Sequence, residues 1–339
     1  MSFAQIIQDA WNKQAKWLIL LRPLSCLYGL GASLNHQLYQ MGVKSVYTAP
    51  VPVMVIGNIT VGGSGKTPLL IQLIKFLTQR QVKVGVISRG YGSQGPFPAM
   101  ANLDSRPEQV GDEPCLIVQS TGVPMAVGPD RKAAIELLLS QHELDLIISD
   151  DGLQHWALAR QIEWIVLDLN RGLGNEKLLP EGYLRESKSR LETGTVIEHG
   201  LQPHSTLNMH LQAGQPYLLN PSENISTLFN QQDEFYAVVG IGFPQRFYKT
   251  LESIGIKEFQ CHEFPDHHDY EIADLQFDDQ NPIITTEKDA VKILPLLKQY
   301  PDFSVEIWVV PVEAILSEDC YQLLETQLKQ LGVSLSQEI

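Results

Sequence analysis

The chain has 339 residues, of which 44% are hydrophobic and 19% charged. This length favours two domains of about 100–200 residues each, and the composition excludes global disorder. The net charge of −14 argues against a general nucleic-acid binder, which would show a basic face. The four cysteines lack a CxxC pair, which excludes a disulfide framework and a zinc ribbon and indicates reduced thiols in a cytoplasmic protein.

The first 48 residues are locally basic, with four cations against the single acid Asp9. Their apolar run, Trp17–Leu21, stops at Arg22-Pro23, and no stretch has the roughly 20 apolar residues of a membrane span. No signal-peptide cleavage site follows the run. The segment predicts an apolar helix with interspersed cations. Two interpretations stay open: the helix lies in a membrane interface, or it packs on the protein core.

From Val51 onward, short apolar runs alternate with helical stretches such as Leu69–Leu77 and Arg131–Leu139. The runs predicted as buried strands are Val51–Ile56, Val82–Ile87, Met125–Val127, Leu144–Ile148 and Trp164–Leu169. Continuous Val, Ile and Leu are typical of parallel strands covered on both faces. The pattern predicts an open, mostly parallel α/β sheet flanked by helices.

The stretch from Leu191 to Gln232 is rich in Gly, Pro, Asn and Ser, and we place the domain junction there. A second series then predicts strands at Phe235–Val239, Glu258–Phe264, Pro282–Thr285 and Val305–Val310 and a last helix at about Ser317–Leu331. The resulting expectation is an N-terminal helical segment (1–48), a larger α/β domain (49–232) and a smaller α/β domain (233–339).

A phosphate-binding loop is predicted between the first strand and the first helix of the larger domain. Its sequence is Gly62-Gly63-Ser64-Gly65-Lys66-Thr67, followed by Pro68. Glycines let backbone N–H groups curl around phosphate oxygens, and the helix N-terminus adds partial positive charge. Lys66 would reach the β- and γ-phosphates, and Thr67 would ligate Mg²⁺. Thr60 stands where the common GxxxxGK[ST] pattern has Gly, so the start of the loop is a variant.

Acidic residues near this loop are candidates for a magnesium site. Asp150 and Asp151 follow a buried strand, where carboxylates can hold Mg²⁺ directly or through water. Asp112 precedes a helix-like run, and its residue type and position alone favour a helix cap. The cluster from His262 to Asp269 lacks zinc-ligand spacing and looks more like a catalytic or domain-closing loop.

Several separated segments resemble the tetraacyldisaccharide 4′-kinase family of the lipid A pathway in Gram-negative bacteria. They are Gly57–Pro68, Ser88–Tyr91, Gly111–Pro114, Gly128–Arg131, Asp150–His155, Leu179–Glu186, Gly240–Gly242 with Arg246-Phe247, Phe264–His268 and Thr286–Asp289. The resemblance covers nearly the whole chain, is loose between Leu191 and Gln232, and includes the variant Thr60. It implies a P-loop NTPase-like domain joined to a smaller α/β domain.

The resemblance also implies ATP, Mg²⁺ and a glycolipid acceptor, the 4′-hydroxyl of a tetraacyl glucosamine disaccharide 1-phosphate, with lipid IVA as product. Asp112 becomes the base toward that hydroxyl, which replaces the helix-cap interpretation, and His267 assists it. The remaining roles it implies are ATP binding by Thr60, Gly62, Gly63, Ser64, Gly65, Lys66 and Thr67, and a magnesium shell of Thr67, Glu113, Asp150 and Asp151. Among the substrate-binding residues, it implies phosphate clamps at Arg131 and Arg185 and site-lining positions for Tyr91, Gln154 and His155. A lipid acceptor favours membrane contact by the N-terminal helix, at the cytoplasmic face of the inner membrane.

Two other functions fit part of the pattern. One is a P-loop kinase or ligase acting on a soluble metabolite. The other is a non-catalytic nucleotide switch, but the Asn/Thr-Lys-x-Asp motif of guanine-specific switches is absent, since Thr286 is followed by Glu287.

Overall fold

The computed structural model describes residues 3–220, 229–231 and 233–336. Its strands are β1 (Val53–Gly57), β2 (Val84–Ser88), β3 (Ala99–Ala101), β4 (Met125–Val127), β5 (Leu146–Asp150), β6 (Ile162–Asp168), β7 (Thr195–His199), β8 (Asn208–Ala213), β9 (Tyr217–Leu218), β10 (Phe235–Val239), β11 (Phe259–Glu263), β12 (Ile283–Thr286), β13 (Ile307–Val310) and β14 (Val312–Leu316). Its α-helices are α1 (Phe3–Asn12), α2 (Arg22–Gln40), α3 (Lys66–Gln79), α4 (Pro107–Val110), α5 (Asp112–Thr121), α6 (Arg131–Gln141), α7 (Arg190–Thr193), α8 (Pro244–Ser253), α9 (Glu287–Leu297) and α10 (Glu318–Gln330). Two 3₁₀ helices cover Lys16–Leu21 and Ile272–Leu275.

Within the described residues the larger sheet has nine strands in the order β14-β8-β7-β6-β1-β5-β2-β4-β3. All neighbours are parallel except the two edge strands, β3 and β14, which pair antiparallel with β4 and β8. Every residue of β1, β2 and β5 is buried, as the continuous apolar runs predict. The carboxyl ends of these strands therefore meet at one edge of the sheet, where the predicted loop and acids follow.

The smaller sheet, as far as the chain is described, has the order β11-β10-β12-β13-β9. It is parallel apart from the short edge strand β9. Helices α8 and α9 contribute buried apolar side chains to its two cores, among them Phe247, Leu251 and Ile293. The predicted strands of the second series all form, with boundaries shifted by one or two residues.

The two sheets do not divide the chain at residue 232. Strand β9 precedes that position but belongs to the smaller sheet, and β14 follows it but pairs with β8 of the larger sheet. Helix α10 likewise buries Cys320, Leu324 and Leu328 in the core of the larger sheet. The chain thus crosses to the smaller sheet before β9 and returns after β13. The sequence of an edge strand or an amphipathic helix does not show which of two sheets it packs against. The assignment of these elements to a sheet therefore needs the three-dimensional structure.

The N-terminal segment differs from one expectation, which was that its apolar run stops at Arg22-Pro23. The 3₁₀ helix and α2 run on without a gap across Arg22-Pro23, because proline is well tolerated in a first helical turn. The resulting stretch, Lys16–Gln40, has 25 residues with a mean hydropathy of 1.4 in its most apolar part. It is therefore long and apolar enough to cross a membrane by these two measures alone. Only 11% of that part is buried, so it is not a core helix.

Candidate active site

The loop between β1 and α3 has the backbone geometry that its glycines predict. Gly62 and Gly65 have φ of 97° and 92°, in the left-handed region that favours glycine. A Cβ on Gly62 would lie 2.5 Å from the Arg171 guanidinium, and one on Gly65 would lie 2.8 Å from His199 Nδ1. The loop is thus packed from outside by side chains that leave room only for glycine, and α3 begins directly after it at Lys66.

The side chains of the loop divide into a scaffold and a ligand-facing set. Thr60 is buried, its hydroxyl accepts a hydrogen bond from Asn58 Nδ2 at 3.1 Å, and its backbone bridges to Leu184. These contacts brace the start of the loop. Lys66 Nζ donates to Asn58 Oδ1 at 3.2 Å and lies 3.7 Å from Asp151 Oδ1. The Ser64 hydroxyl is buried and has no hydrogen-bond partner among the described residues.

Three side chains hold the outer carbonyls of the loop. His199 Nδ1 lies 2.8 Å from Ser64 O, Arg246 donates to Gly63 O at 3.2 Å, and Arg171 donates to Val61 O. Arg246 also pairs with the buried Asp168 at the end of β6. These contacts fix the backbone carbonyls of the loop from three different elements. These roles were not predicted from the sequence. Arg246 belongs to a segment that resembles the family, but the three contacts join residues far apart in the chain, and no spacing in the sequence indicates them.

Asp150 and Asp151, at the end of β5, lie in different electrostatic environments. Asp150 is fully buried, its Oδ2 accepts from Ser88 Oγ at 3.3 Å, and its Oδ1 has no hydrogen-bond partner among the described residues. Burial and then the charges of Glu113 and Asp151 raise the pKa of Asp150. Burial would also raise the pKa of Asp151, but Lys66 and Arg185, whose Nη1 lies 2.8 Å from Oδ2, outweigh it and lower the pKa.

The residues predicted to line the site or to clamp phosphate fall into two groups. Gln154 and Arg185 belong to the network around Asp151: Arg185 donates to Gln154 Oε1 at 3.2 Å, and Gln154 donates to Asn58 O at 3.2 Å. Arg131 is buried and donates to Gly128 O at 2.8 Å, and burial lowers its pKa to about 10. Its guanidinium braces the strand ends from inside. His155 lies beside this group, and burial is the first cause of its lowered pKa.

Asp112 and His267 meet across the two sheets. Asp112 opens α5 after Gly111, whose φ is 102°, and its Oδ1 accepts from the backbone N–H of Glu113 at 2.9 Å. His267 Nδ1 lies 2.9 Å from Asp112 Oδ2 and 3.0 Å from Oδ1. The exposed Tyr91 ring lies 5.2 Å from the His267 ring. Two predicted residues, 155 positions apart, are therefore direct partners.

Their pKa values shift in opposite directions. Burial alone would raise the pKa of Asp112, but the hydrogen bond from His267 and the charge of Lys288 outweigh it and lower the pKa to about 2. Burial would lower the pKa of His267, but the hydrogen bond with Asp112 outweighs it and the net shift is upward. His267 has a φ of 63° and Asp151 one of 47°. Both are residue types that tolerate this left-handed region, and such strain is concentrated at functional sites.

The acids fit a magnesium ion that is completed by a substrate. Among the residues that the structure describes, no three or more His, Cys, Asp or Glu side chains form a ready-made metal cage. Mg²⁺ commonly takes one or two carboxylates, with phosphates and water as the other ligands. The buried and unpartnered Oδ1 of Asp150, crowded by Glu113 and Asp151, is a donor of this kind. Thr67 lies in the first turn of α3, whereas Glu113 accepts from Lys288 Nζ at 3.2 Å.

Comparison with known proteins agrees with this geometry. The family model described as LpxK, tetraacyldisaccharide-1-P 4′-kinase, matches residues 17–329. The tetraacyldisaccharide 4′-kinase of Psychrobacter arcticus is 46% identical, over 99% of this chain and 98% of that protein. The enzyme of the same name from Actinobacillus pleuropneumoniae is 44% identical, over 96% of this chain and 99% of that protein.

The fold is also found in a solved structure. The crystal structure of LpxK from Aquifex aeolicus in complex with ATP has a TM-score of 0.72 and 24% identity, covering 93% of this chain and 99% of that one. This likeness confirms the predicted P-loop NTPase-like α/β fold. With a family match over almost the whole length, the resemblance seen in the sequence is confirmed as well, and the chain belongs to the tetraacyldisaccharide-1-P 4′-kinase family.

Proposed function

We propose that the chain transfers the γ-phosphoryl group of ATP to the 4′-hydroxyl of a tetraacyl glucosamine disaccharide 1-phosphate, giving lipid IVA. The observation that carries the proposal is a glycine loop with Lys66 at the head of α3, next to the acids that end β5. Asp112 and His267 form a proton-handling pair, which could take the proton that a hydroxyl acceptor releases. Family membership supports the acceptor named here.

ATP would be held by the loop from Gly62 to Thr67. The outer carbonyls are bound by His199, Arg246 and Arg171, which supports an inward-facing set of amides for the β- and γ-phosphates. Lys66 would exchange its contacts with Asn58 and Asp151 for phosphate oxygens. Phosphoryl transfer depends mainly on such positioning and charge neutralisation, so a preformed loop accounts for much of the work.

Mg²⁺ would bind at Asp150, Asp151 and Thr67, with Glu113 in its outer surroundings, and would neutralise charge on the nucleotide phosphates. The unpartnered Oδ1 of Asp150 supports this assignment, because a buried carboxylate oxygen without a partner is costly. Oδ1 of Asp151 also has no hydrogen-bond partner among the described residues, but it lies 3.7 Å from Lys66 Nζ, and Oδ2 of Asp151 pairs with Arg185 at 2.8 Å. This difference favours Asp150 as the direct ligand and Asp151 as a water-mediated one.

The acceptor proton would pass to the Asp112–His267 pair. With a pKa near 2, Asp112 stays a carboxylate and can orient the acceptor hydroxyl, but it holds a proton weakly on its own. His267, with its raised pKa, can keep the proton within the pair. The base function is thus shared by the two residues. Tyr91, exposed beside the His267 ring, would contact the sugar at the rim of the site.

The acceptor lipid would be taken from the cytoplasmic face of the inner membrane, with the protein bound peripherally. The helical stretch Lys16–Gln40 supports this proposal, because it exposes large apolar side chains while its other face contacts the protein. The exposed residues are Ile19, Leu20, Leu24, Leu27, Leu30 and Leu34. Apolar area of this kind, with nearby cations, binds an anionic lipid interface.

A direct assay tests the proposal. The full-length protein is incubated with labelled ATP, Mg²⁺ and the tetraacyl disaccharide 1-phosphate, and the lipid fraction is examined for a bisphosphorylated product. We expect label in the lipid that depends on Lys66, with Lys66→Met losing about 10²–10³-fold in rate. Label that enters a water-soluble acceptor equally well, or nucleotide binding without acceptor-dependent ADP release, would contradict it.

A further inference from the structure

The motif Thr286–Asp289 builds a rigid start for α9. Thr286 caps the helix, with its hydroxyl oxygen accepting from Asp289 N–H at 3.2 Å. Asp289 is fully buried and accepts hydrogen bonds from Tyr270 Oη at 3.0 Å and from Gly240 N–H at 3.2 Å. The first turn of α9 is therefore fixed against the end of β10. The backbone of Lys288, between these anchored residues, is therefore fixed, and its long side chain extends from a defined position.

From this turn, Lys288 reaches acids of both sheets. Its Nζ lies 3.2 Å from Glu113 Oε1 on α5 and 3.1 Å from Asp266 Oδ1 in the loop after β11. The same atom lies 3.9 Å from Asp112 Oδ2 and 3.5 Å from His267 Nε2. The two short contacts are thus made to the chain neighbours of the proton-handling pair, Glu113 beside Asp112 and Asp266 beside His267.

The burial of Lys288 makes this arrangement more than a surface ion pair. Only 18% of its side chain is exposed, and the carboxylates around it raise its pKa although burial opposes them. Exposed ion pairs contribute little to stability, whereas a buried cation that contacts several carboxylates is held in one place. Lys292, one turn later, has only 6% of its side chain exposed and adds positive charge 3.9 Å from Asp112 without a short contact to it.

We propose that Lys288 is a positioning residue for phosphoryl transfer, which joins Glu113 to Asp266 and thereby holds Asp112 and His267 in contact. The inference rests on the proposed function, in which that pair receives the acceptor proton. Lys288 acts through the pair: the contacts that it makes go to Glu113, Asp266 and the pair itself. Without it, α5 and the loop after β11 would keep three neighbouring carboxylates and lose the cation that joins them.

Steady-state kinetics of the full-length protein test this role. Lys288→Met is expected to lower kcat about 10²-fold, the size of a misplacement near 1 Å, with KM for ATP changed less than about twofold. In a His267→Ala background the same substitution should lower kcat less than about threefold, because the contact between Asp112 and residue 267 is already lost. An equal loss in both backgrounds would overturn the proposal. Lys329→Met, an exposed lysine paired with Glu325, is the matched control and should have no effect in either.

A second readout does not need the lipid acceptor. The imidazole ¹H–¹⁵N spectrum of His267, assigned with His267→Gln, should change in Lys288→Met and stay unchanged in Lys329→Met. Unchanged His267 signals would overturn the inference even in an active enzyme. If wild type phosphorylates no lipid while these signals respond, the proposed function fails, but Lys288 still holds Asp112 and His267 in contact. Should Lys288→Met not fold, Lys288→Arg, which keeps the charge but moves its donors, should give the same kcat pattern and the same spectral change on a smaller scale.

Discussion

Nδ1 of His267 lies 2.9 Å from Oδ2 of Asp112, although the two residues lie 155 positions apart and follow strands of different sheets. The contact joins the first turn of α5 to the loop that follows β11. The pair is thus assembled only when the two sheets are held together. In the proposed function, nucleotide binding would depend mainly on the larger sheet, whereas proton transfer from the acceptor would need residues of both.

Removal of the Asp112 carboxylate tests the catalytic half of this arrangement. Asp112→Ala should lose about 10²–10⁴-fold in kcat, the usual contribution of a general base, with little change in ATP affinity. Lipid phosphorylation at saturating ATP measures the first quantity and nucleotide titration the second. Glu108→Gln, an exposed acid on the preceding short helix, serves as control. Near wild-type turnover of Asp112→Ala would remove this residue from the mechanism.

The pH dependence of turnover follows from the raised pKa of His267. The hydrogen bond with Asp112 stabilises the imidazolium, so the neutral ring that can accept a proton forms only above the ordinary value of 6.5. We expect kcat to rise with pH along an acidic limb whose midpoint lies above 6.5. His267→Gln should lower kcat and abolish that limb. A limb that persists in this variant would assign the titration to another group.

The same pair should also stabilise the fold in a pH-dependent way. This stabilisation decreases as pH rises, whereas kcat increases. Because the folded-state pKa of His267 is raised, its contribution is fully present below 6.5 and is lost as pH rises through the folded value. Urea unfolding of wild type and His267→Gln, compared near pH 6 and near pH 9, measures it. The difference in free energy of unfolding between the two proteins should be larger at the lower pH. A difference that grows with pH would contradict the assignment.

Arg246 should affect the nucleotide rather than the acceptor. It binds Gly63 O at 3.2 Å and pairs with Asp168, so Arg246→Met removes a charge-assisted contact from the outside of the loop. Such a contact contributes about 1.5–3 kcal/mol, and we expect the KM for ATP to rise about tenfold or more. Lys249→Met, on the exposed face of α8, is the control. A rise in the lipid KM alone would place Arg246 at the acceptor instead.

Membrane binding can be tested without shortening the chain. Leu24→Asp with Leu27→Asp puts two charges among the exposed apolar side chains of α2, and sedimentation with vesicles containing anionic lipid should show release of the protein. Leu201→Asp, at an exposed leucine far along the chain, should leave binding intact. Equal vesicle binding by all three proteins would exclude α2 as the contact surface.

Local patterns predicted the part of the site that is local in sequence. The loop from Gly62 to Thr67 and the acids after β5 follow from strand–loop–helix order, because parallel strands end at one edge. The contacts of His199, Arg171 and Lys288 could not be predicted in this way. Each joins residues far apart in the chain, and their burial depends on how two sheets pack. For the same reason, the contacts of Thr60 with Asn58 and Leu184, which brace the start of the loop, were not predicted.

The N-terminal helices are joined to the catalytic network by polar contacts. Trp11 Nε1 donates to Pro180 O at 3.0 Å, Arg22 pairs with Glu181 at 2.8 Å, and Tyr28 Oη donates to Arg185 O at 3.0 Å. Arg185 in turn holds Asp151. A shortened enzyme made for easier purification would therefore lose the support of its Arg185 segment together with its exposed apolar side chains. Low activity in such a protein, even with an acceptor dispersed in detergent, would reflect a disturbed site around Asp151. Charge substitutions on the exposed face of α2 are therefore a better way to obtain a soluble form.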